Sequence, residues 1–406
     1  MDDRELSVLK AIYFKTDATR LKISISTHMS TVLISGILNN LEEKGYIRKG
    51  GKTKTSGGRP SILYSLNPEL GYFWGISVNT DSFTVSILDS AAKLVKTVDF
   101  KLTLSSDQEE HVDNIISQIV FEIEKLIQRD GIFKKPIYVG ISVPGMVDTE
   151  NGIWQHGLQL TGITGVLLRD ILQKRLSIPV YIEDQSRAIT MYEMRNGEGK
   201  NLQNWVFLYL GSGVGAGIVI NGEIYRGHKG MSGEIGHLEV DPGGSRCSCG
   251  NIGCIETILS VPSILRQFKE RLDEGVISSL QKYYPKGSEK LDLEKILTAA
   301  REGDKLTQSI LFDIGLFLGD ACTKLIKILS PEKIIIGGPV SILGDFFKNP
   351  IDITFTRLLM PEMLPDKSVG FTRYNHLKTS WGAALGAMDI FWNTLGPDDL
   401  SSPESL

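Results

Sequence analysis

The sequence predicts an α/β fold with a small helical domain ahead of its α/β body. Three observations lead to this fold class. Apolar residues recur at helical spacing in the first seventy residues, and a basic Gly-rich segment follows them. From Tyr72 onward, apolar strands alternate with helical segments. A unit of strand, turn, strand, turn and strand occurs twice in that part, which predicts two lobes of related fold.

The composition is that of a globular protein. The chain has 406 residues, of which 41% are hydrophobic and 23% charged, and its length favours more than one domain. The net charge of −4 gives no global signal for nucleic-acid binding, so any such signal has to be local. The N-terminus is acidic, and no apolar run approaches the ~18 residues of a membrane helix. We therefore expect a cytoplasmic protein without membrane insertion.

Two helices are predicted in the first seventy residues. The first follows an acidic start and places Leu6, Leu9, Ile12 and Tyr13 at helical spacing. The second follows Ser30, a residue type that often caps the N-terminus of a helix. The buried face predicted for the second helix consists of Val32, Ile34, Ile37, Leu38 and Leu41. Its opposite face is then available to a partner.

A basic hairpin is predicted after these helices. Six Lys or Arg and no acidic residue lie from Lys44 to Arg59, and extended segments at 46–49 and 62–65 flank a Gly-rich turn. Helices followed by a basic hairpin are typical of a winged helix-turn-helix, whose second helix enters the major groove of DNA. The alternative is a solvated basic loop. The residues expected to contact DNA are Thr31, Val32, Ser35, Asn39, Lys52, Lys54 and Arg59.

The α/β body is predicted from two groups of segments. The first group consists of three strands within 72–100, a helix near 109–129, a strand at 136–145, a helix near 165–174 and a strand at 178–184. The second consists of three strands within 204–225, helices at 261–271, 293–301 and 306–329, a strand at 332–338 and a helix near 380–392. Such duplication is typical of actin-like and sugar-kinase folds. The expected domains are 1–70, 71–200 and 201–395, with a tail at 396–406.

Three of the four cysteines lie in one short segment, "HLEVDPGGSRCSCGNIGC". His237, Cys247, Cys249 and Cys254 supply one imidazole and three thiolates, which form a complete tetrahedral set for Zn²⁺. Glycines between the cysteines allow the backbone to fold tightly around one ion. Because four protein ligands leave no open position, the zinc is predicted to be structural. A reactive thiol pair and accidental clustering are the alternatives.

Several motifs resemble the ROK family, which contains bacterial sugar kinases and sugar-responsive repressors. "GEIGHLEVDPGGSRCSCGNIGCIET" resembles the signature of this family, and "GISVPGMVDTENG", "LGSGVGAGIVINGEIYRG" and "IIIGGPVS" match it in the same order. These motifs span residues 70–395. The winged helix and "GGRPSILYSLNP" resemble the repressor branch only. The resemblance implies a two-lobed actin-like fold with a zinc-binding loop.

The resemblance also implies a sugar site. In the family, the Glu of the "ExGH" motif, the His that follows and the Glu after the last Cys face the sugar, and these positions are Glu234, His237 and Glu256 here. Carboxylates accept hydrogen bonds from sugar hydroxyls, and an imidazole can bind zinc through one nitrogen while the other remains available. Asp184 is the fourth expected sugar-binding residue. Alternatively, the two glutamates cap helices or support the zinc ligands.

The sequence departs from the kinases of the family at two positions. Kinases carry Asn-Asp after the strand "VYI", with the Asp as base, and the ungapped alignment places Asp184 and Gln185 there. A register shift that makes Asp184 the base would require an insertion in the next helix. Kinases also carry a Gly-rich phosphate loop where this chain has "SVNTD". The turn from Gly211 to Val219 still resembles a phosphate-binding turn, although a simple hairpin is the favoured alternative.

These observations favour a repressor over an enzyme. We expect a transcriptional repressor of sugar-utilisation genes that binds operator DNA as a homodimer or tetramer and responds to a sugar, with xylose, glucose and N-acetylglucosamine as candidates. One alternative is an ATP-dependent sugar kinase that uses Asp184 as base and residues 211–217 for phosphate. Another is a repressor controlled by a membrane sugar transporter, as in members of the Mlc type.

Overall fold

The computed structural model describes residues 1–15, 17–53, 60–104, 111–129, 135–157, 160, 162–285, 291–363 and 369–399. The chain forms two compact units. The first consists of Met1–Met191 together with the chain from Leu377 onward, and the second of Tyr192–His376. The last helix, which the sequence assigned to the second lobe, thus belongs to the first unit.

The N-terminal residues form helices followed by a two-stranded antiparallel sheet. The elements are α1 (Asp3–Phe14), α2 (Arg20–Thr27), α3 (Thr31–Glu43), β1 (Ile47–Lys52) and β2 (Ile62–Leu66). Asp2 and Glu5 form a capping box at the start of α1. Ser30 caps α3 as predicted, since its Oγ accepts from the backbone N–H of Leu33 at 3.2 Å. This order of helices and hairpin agrees with the sequence prediction.

The structure corrects two expectations for this region. Helix α2 was not predicted, because "RLKISIST" is rich in β-branched and hydroxyl residues and buries only Ile23. The side chain of Thr19 caps its N-terminus, and His28 ends it in the left-handed conformation with φ 55°. Val32 does not belong to the buried face of α3: it is 82% exposed. The buried residues of α3 are Ile34, Ile37, Leu38 and Leu41.

The first unit contains a five-stranded sheet in the order β10-β6-β3-β4-β5. Its strands are β3 (Tyr72–Val78), β4 (Ser82–Asp89), β5 (Leu94–Lys101), β6 (Tyr138–Val143) and β10 (Val180–Asp184). The consecutive strands β3, β4 and β5 pair antiparallel, whereas β6 and β10 join in parallel. The helices of this part are α4 (His111–Arg129), α5 (Leu168–Leu176) and the beginning of α6 (Gln185–Asn196), whose residues from Tyr192 onward belong to the second unit. These elements were predicted, apart from the exact helix ends.

A small antiparallel sheet in the same unit was not predicted. It consists of β7 (Met146–Asp148), β8 (Ile153–His156) and β9 (Thr164–Val166). The helix expected from residue 165 therefore begins only at Leu168. Gly165, inside β9, has φ +65°, which does not fit a right-handed helix.

The second unit repeats the sheet topology of the first, in the order β13-β12-β11-β14-β15. Its strands are β11 (Trp205–Leu210), β12 (Val214–Ile220), β13 (Glu223–Tyr225), β14 (Lys333–Gly337) and β15 (Val369–Phe371). Again the first three strands are antiparallel and the last two join in parallel. Its helices are α7 (Glu256–Leu259), α8 (Val261–Asp273), α9 (Leu293–Arg301), α10 (Lys305–Leu329) and α11 (Gly344–Leu358). The predicted duplication is present.

Helix α12 (Leu377–Thr394) packs on the first sheet and on helix α1. Gly75 and Gly140 are paired on neighbouring strands, and a side chain at either would collide with the backbone of α12. The phenol of Tyr13 on α1 donates to Asp389 at 2.6 Å.

None of the described helices is, by itself, long and apolar enough to span a membrane. The bent pair of α2 and α3 reaches the required length and apolar composition when the two helices are taken together, and it does so on these two criteria only.

Candidate functional site

The predicted metal ligands lie together in the second unit. The ligand atoms of His237, Cys247, Cys249 and Cys254 all lie within 4.8 Å of one another. Nδ1 of His237 is 3.6 Å from Sγ of Cys247, and the sulfur atoms of Cys249 and Cys254 are 3.7 Å apart. Ligands placed tetrahedrally at about 2.3 Å (sulfur) and about 2.0 Å (nitrogen) from one ion are about 3.5 to 3.8 Å apart. The cluster therefore fits a single tetrahedral metal ion.

The backbone of the loop brings these ligands together through short antiparallel bridges. Glu239 pairs with Cys254, and the backbone N–H of Val240 donates to the carbonyl of Gly253 at 2.9 Å. Gly253 has φ +67°, and a Cβ there would collide with the carbonyl of Asp241. Gly250 also has a positive φ, +97°, but nothing lies within 4 Å of its Cβ position. The glycine requirement is thus both conformational and steric at Gly253.

His237 faces two groups through its two ring nitrogens. Nδ1 faces the thiols, whereas Nε2 is 3.8 Å from Oε2 of Glu234. A metal-bound imidazole is commonly oriented by a carboxylate at its other nitrogen. The structure therefore places Glu234 beside the metal cluster, with one third of its side chain exposed.

Glu234 and Glu256 are both anchored near the start of β12. Oε2 of Glu256 accepts from the backbone N–H of Val214 at 2.9 Å. Gly236, two residues after Glu234, packs so closely on the carbonyl of Val214 that a Cβ would collide with it. The loop that carries the predicted metal ligands, residues 237–254, is called the metal loop below. Glu234 lies just before this loop and Glu256 just after it, so the loop positions both carboxylates.

The Gly-rich turn after β11 is closed by groups of the protein itself. The backbone N–H of Gly211 donates to the carbonyl of Gly213 at 2.9 Å, and that of Val214 is taken by Glu256. The Tyr209 ring lies directly over Gly211, where a Cβ would collide with it. Burial raises the pKa of the Tyr209 phenol. These two backbone amides are not free for phosphate, which supports the hairpin interpretation.

Asp184 ends β10 in the first unit and holds a buried arginine. Its Oδ1 accepts from the backbone N–H of Arg187 at 3.0 Å, and its Oδ2 lies 2.6 Å from Nε of Arg187. Burial raises the pKa of Asp184, although the charge of Arg187 opposes this. The ungapped sequence alignment predicts that the next residue, Gln185, takes the position of the kinase base. Its amide donates to the carbonyl of Val78 at 2.7 Å and to Oδ1 of Asn79 at 3.2 Å.

The sequence did not reveal the network around Arg187. This side chain is 2% exposed and also donates to Glu183, which is fully buried, at 2.6 Å. Glu183 accepts in addition from Tyr181 at 2.5 Å and from Thr149 at 3.0 Å. Burial opposes the charge on Arg187, but the two carboxylates outweigh it and raise its pKa. Glu183 lies in β10 and Arg187 in α6, so no helical periodicity relates the two residues and no local sequence pattern indicated this pair.

The expected DNA face lies on α3 and the hairpin. Thr31, Val32 and Asn39 are exposed, and Ser35 is half-buried. Lys52 is exposed on β1, whereas Lys54 and Arg59 lie outside the described residues. Two basic residues of the hairpin are paired with acids: Arg48 with Glu69 at 2.9 Å and Lys49 with Glu42 at 2.5 Å. The hairpin is therefore less basic than its sequence alone indicated.

A ROK body with a His-Cys metal cluster, preceded by helices and a hairpin, defines the class of protein. The ROK family model matches residues 73–392, and the chain belongs to this family. It is 28% identical over 353 residues to a xylose repressor of Caldicellulosiruptor bescii, with 84% of each chain covered. It is 31% identical to a glucokinase of Halalkalibacterium halodurans, over 72% of this chain and 87% of the glucokinase.

The same architecture occurs in a solved structure that includes the N-terminal part. A ROK family transcriptional regulator described as a homologue of Mlc from E. coli superposes with a TM-score of 0.79. The two chains are 27% identical, and the match covers 96% of each. The similarity to the regulator thus extends over nearly the whole chain, whereas the similarity to the glucokinase leaves more than a quarter of it unmatched.

We expect the purified protein to carry about one tightly bound metal ion per chain. Cys249→Ser should abolish metal binding and lower the melting temperature, because a structural metal contributes folding energy. Cys322→Ala is the matched control, since Cys322 is buried in α10 and is not part of the cluster. Elemental analysis and thermal unfolding measure both effects. Wild-type metal content in Cys249→Ser would contradict this assignment.

Two glycine variants separate backbone strain from steric clash in the metal loop. Gly250→Ala should cost about 1 kcal/mol for its positive φ and retain the metal. Gly253→Ala should lose the metal and destabilise the protein by more than about 3 kcal/mol, because its Cβ collides with the carbonyl of Asp241. Denaturant unfolding and metal content are the measurements. Equal behaviour of the two variants would show that the close approach does not matter.

Proposed function

We propose that this protein is a DNA-binding transcriptional repressor of carbohydrate-utilisation genes, controlled by a sugar that binds its ROK body. The observation that carries the proposal is the hydrogen-bonded amide of Gln185, the residue that we align with the kinase base. A neutral amide cannot take a proton from a sugar hydroxyl, and this amide already donates to Val78 and Asn79. The ROK body then binds a sugar without phosphorylating it, and the N-terminal helices bind DNA.

The proposed sugar site consists of Asp184, Glu234, His237 and Glu256. A carboxylate accepts through about four lone-pair positions, so Glu256 and Asp184 retain capacity beyond their bonds to Val214 and Arg187. Such acceptors suit the neighbouring hydroxyls of a sugar. We propose Zn²⁺ as the metal, because one imidazole and three thiolates prefer this ion, and a structural role because all four positions are filled by protein.

In the proposed DNA complex, α3 lies in the major groove and the hairpin lies over the backbone or the minor groove. Thr31, Val32, Ser35 and Asn39 are the proposed contacts of α3. The proposed contacts of the hairpin are Lys52, Lys54 and Arg59. Repression requires access to the chromosome, which places the protein in the cytoplasm.

We further propose that two or four copies assemble, because one short helix contacts few base pairs and paired half-sites raise affinity and specificity.

Binding to the promoter DNA upstream of its own gene tests the repressor function. Fluorescence anisotropy should show tight binding that one of xylose, glucose or N-acetylglucosamine weakens. Asn39→Ala should weaken binding about tenfold or more, because a base contact is lost. Asn393→Ala, the same change at an exposed position of α12, is the control. Binding that no sugar alters would favour control by a transporter protein, and no binding would refute the repressor function.

The absence of kinase activity is tested separately. The protein incubated with ATP, Mg²⁺ and each sugar should release no ADP above the level without sugar. The physical reason is the bonded amide of Gln185 together with the closed turn at Gly211. A coupled ADP assay gives the rate. Sugar-dependent ADP release that Asp184→Asn abolishes would establish the kinase instead.

A further inference from the structure

Arg20 begins α2 and extends to the outer face of α3. Its Nη1 donates to Oγ of Ser35 at 3.1 Å, a contact between residues fifteen positions apart. The Arg20 side chain is exposed. The sequence did not single out Arg20, because α2 was not among the predicted helices. The structure thus adds an arginine to the face proposed to meet DNA.

The hydroxyl of Ser35 already forms two hydrogen bonds within the protein. Its Oγ donates to the carbonyl of Thr31 at 2.8 Å and accepts from Arg20. A serine hydroxyl has only one proton to donate. Ser35 therefore has no donor left for a base edge, so any contact of its hydroxyl with DNA is made as an acceptor, and the hydroxyl also holds the guanidinium of Arg20 in place.

Arg20 differs from neighbouring basic residues in its partners. Lys22, on the same helix, contacts the carboxylate of Asp17, and Lys44 contacts Glu5 at 2.8 Å. No carboxylate contacts Arg20 among the residues that the structure describes. Its charge is therefore not neutralised, and four of its five N–H donors remain for a ligand.

Guanine and phosphate are the DNA groups that accept well from arginine. In the proposed complex, α3 lies in the major groove and the guanidinium of Arg20 lies over the outer face of α3. There it can form paired hydrogen bonds with the O6 and N7 atoms of a guanine. The bond to Ser35 restricts the guanidinium before DNA binds, which reduces the entropy lost on binding. We propose that Arg20 determines the preference of this protein for a guanine in its DNA site, with Ser35 as its positioning residue. This inference rests on the proposed function.

Selection from a random-sequence DNA pool tests the proposal with the full-length protein. Wild type should enrich a site with at least one preferred guanine. Arg20→Lys keeps the positive charge but loses the planar guanidinium that can form two parallel hydrogen bonds, and Arg20→Ala loses both the charge and the guanidinium. In both variants the preference for that guanine over other bases should fall by about 5- to 150-fold, while preferences elsewhere in the site persist. Lys22→Ala, a charge removal on the same helix, should leave the selected site unchanged.

Ser35 variants test the positioning role. Ser35→Ala should weaken the guanine preference, whereas Ser35→Thr, which keeps the hydroxyl, should retain it. If Arg20→Ala weakens binding to all sequences equally and lowers the salt dependence by about one phosphate contact, Arg20 binds phosphate and the proposal is wrong. If wild type enriches no sequence, the proposed function fails along with it. If wild type enriches a site that Arg20→Ala selects unchanged, the inference alone fails.

Discussion

The close approach of α12 to the first sheet is the constraint on which the first unit depends. Gly75 and Gly140 stand side by side on β3 and β6, and the helix backbone occupies the space that side chains would fill there. The hydroxyls of Ser86 and Ser380 meet at 2.7 Å within this contact. Helix α12 also contacts α1 through the hydrogen bond between Asp389 and Tyr13. The same helix therefore packs on both the sheet and α1.

The second unit uses the same physical principle around its metal loop. Gly233, Gly236 and Gly253 each pack so closely on a carbonyl that a side chain would collide. Gly233 and Gly236 pack on β12, where Glu256 accepts from the backbone N–H of Val214, whereas Gly253 packs on Asp241 within the loop itself. A segment with few apolar residues of its own gains a fixed shape from backbone packing, and its His-Cys cluster offers four ligands to one metal ion that would fix the shape further. Glu234 and Glu256, two of the carboxylates proposed to bind sugar, flank this segment and are thereby held in place.

Sequence patterns predicted what depends on local spacing. The capping serine of α3, the two three-stranded units and the His-Cys cluster all follow from short-range patterns, and the structure confirms their placement. The features that were not predicted depend on contacts between residues far apart in the sequence. Helix α2 forms despite weak propensity, since it is capped by Thr19 and packs Ile23 in the core. The Arg187 network and the bond of Arg20 to Ser35 join partners that no periodicity relates.

In the proposed function, sugar and DNA bind linked conformations of one protein. Thermodynamic linkage requires the coupling to be reciprocal. Calorimetric titration of the effective sugar into the free protein and into its saturated DNA complex measures this coupling directly. The sugar should bind the DNA complex more weakly than it binds the free protein, by the same factor by which the sugar weakens DNA binding. Equal sugar affinity in the two titrations would show that the two sites are not linked.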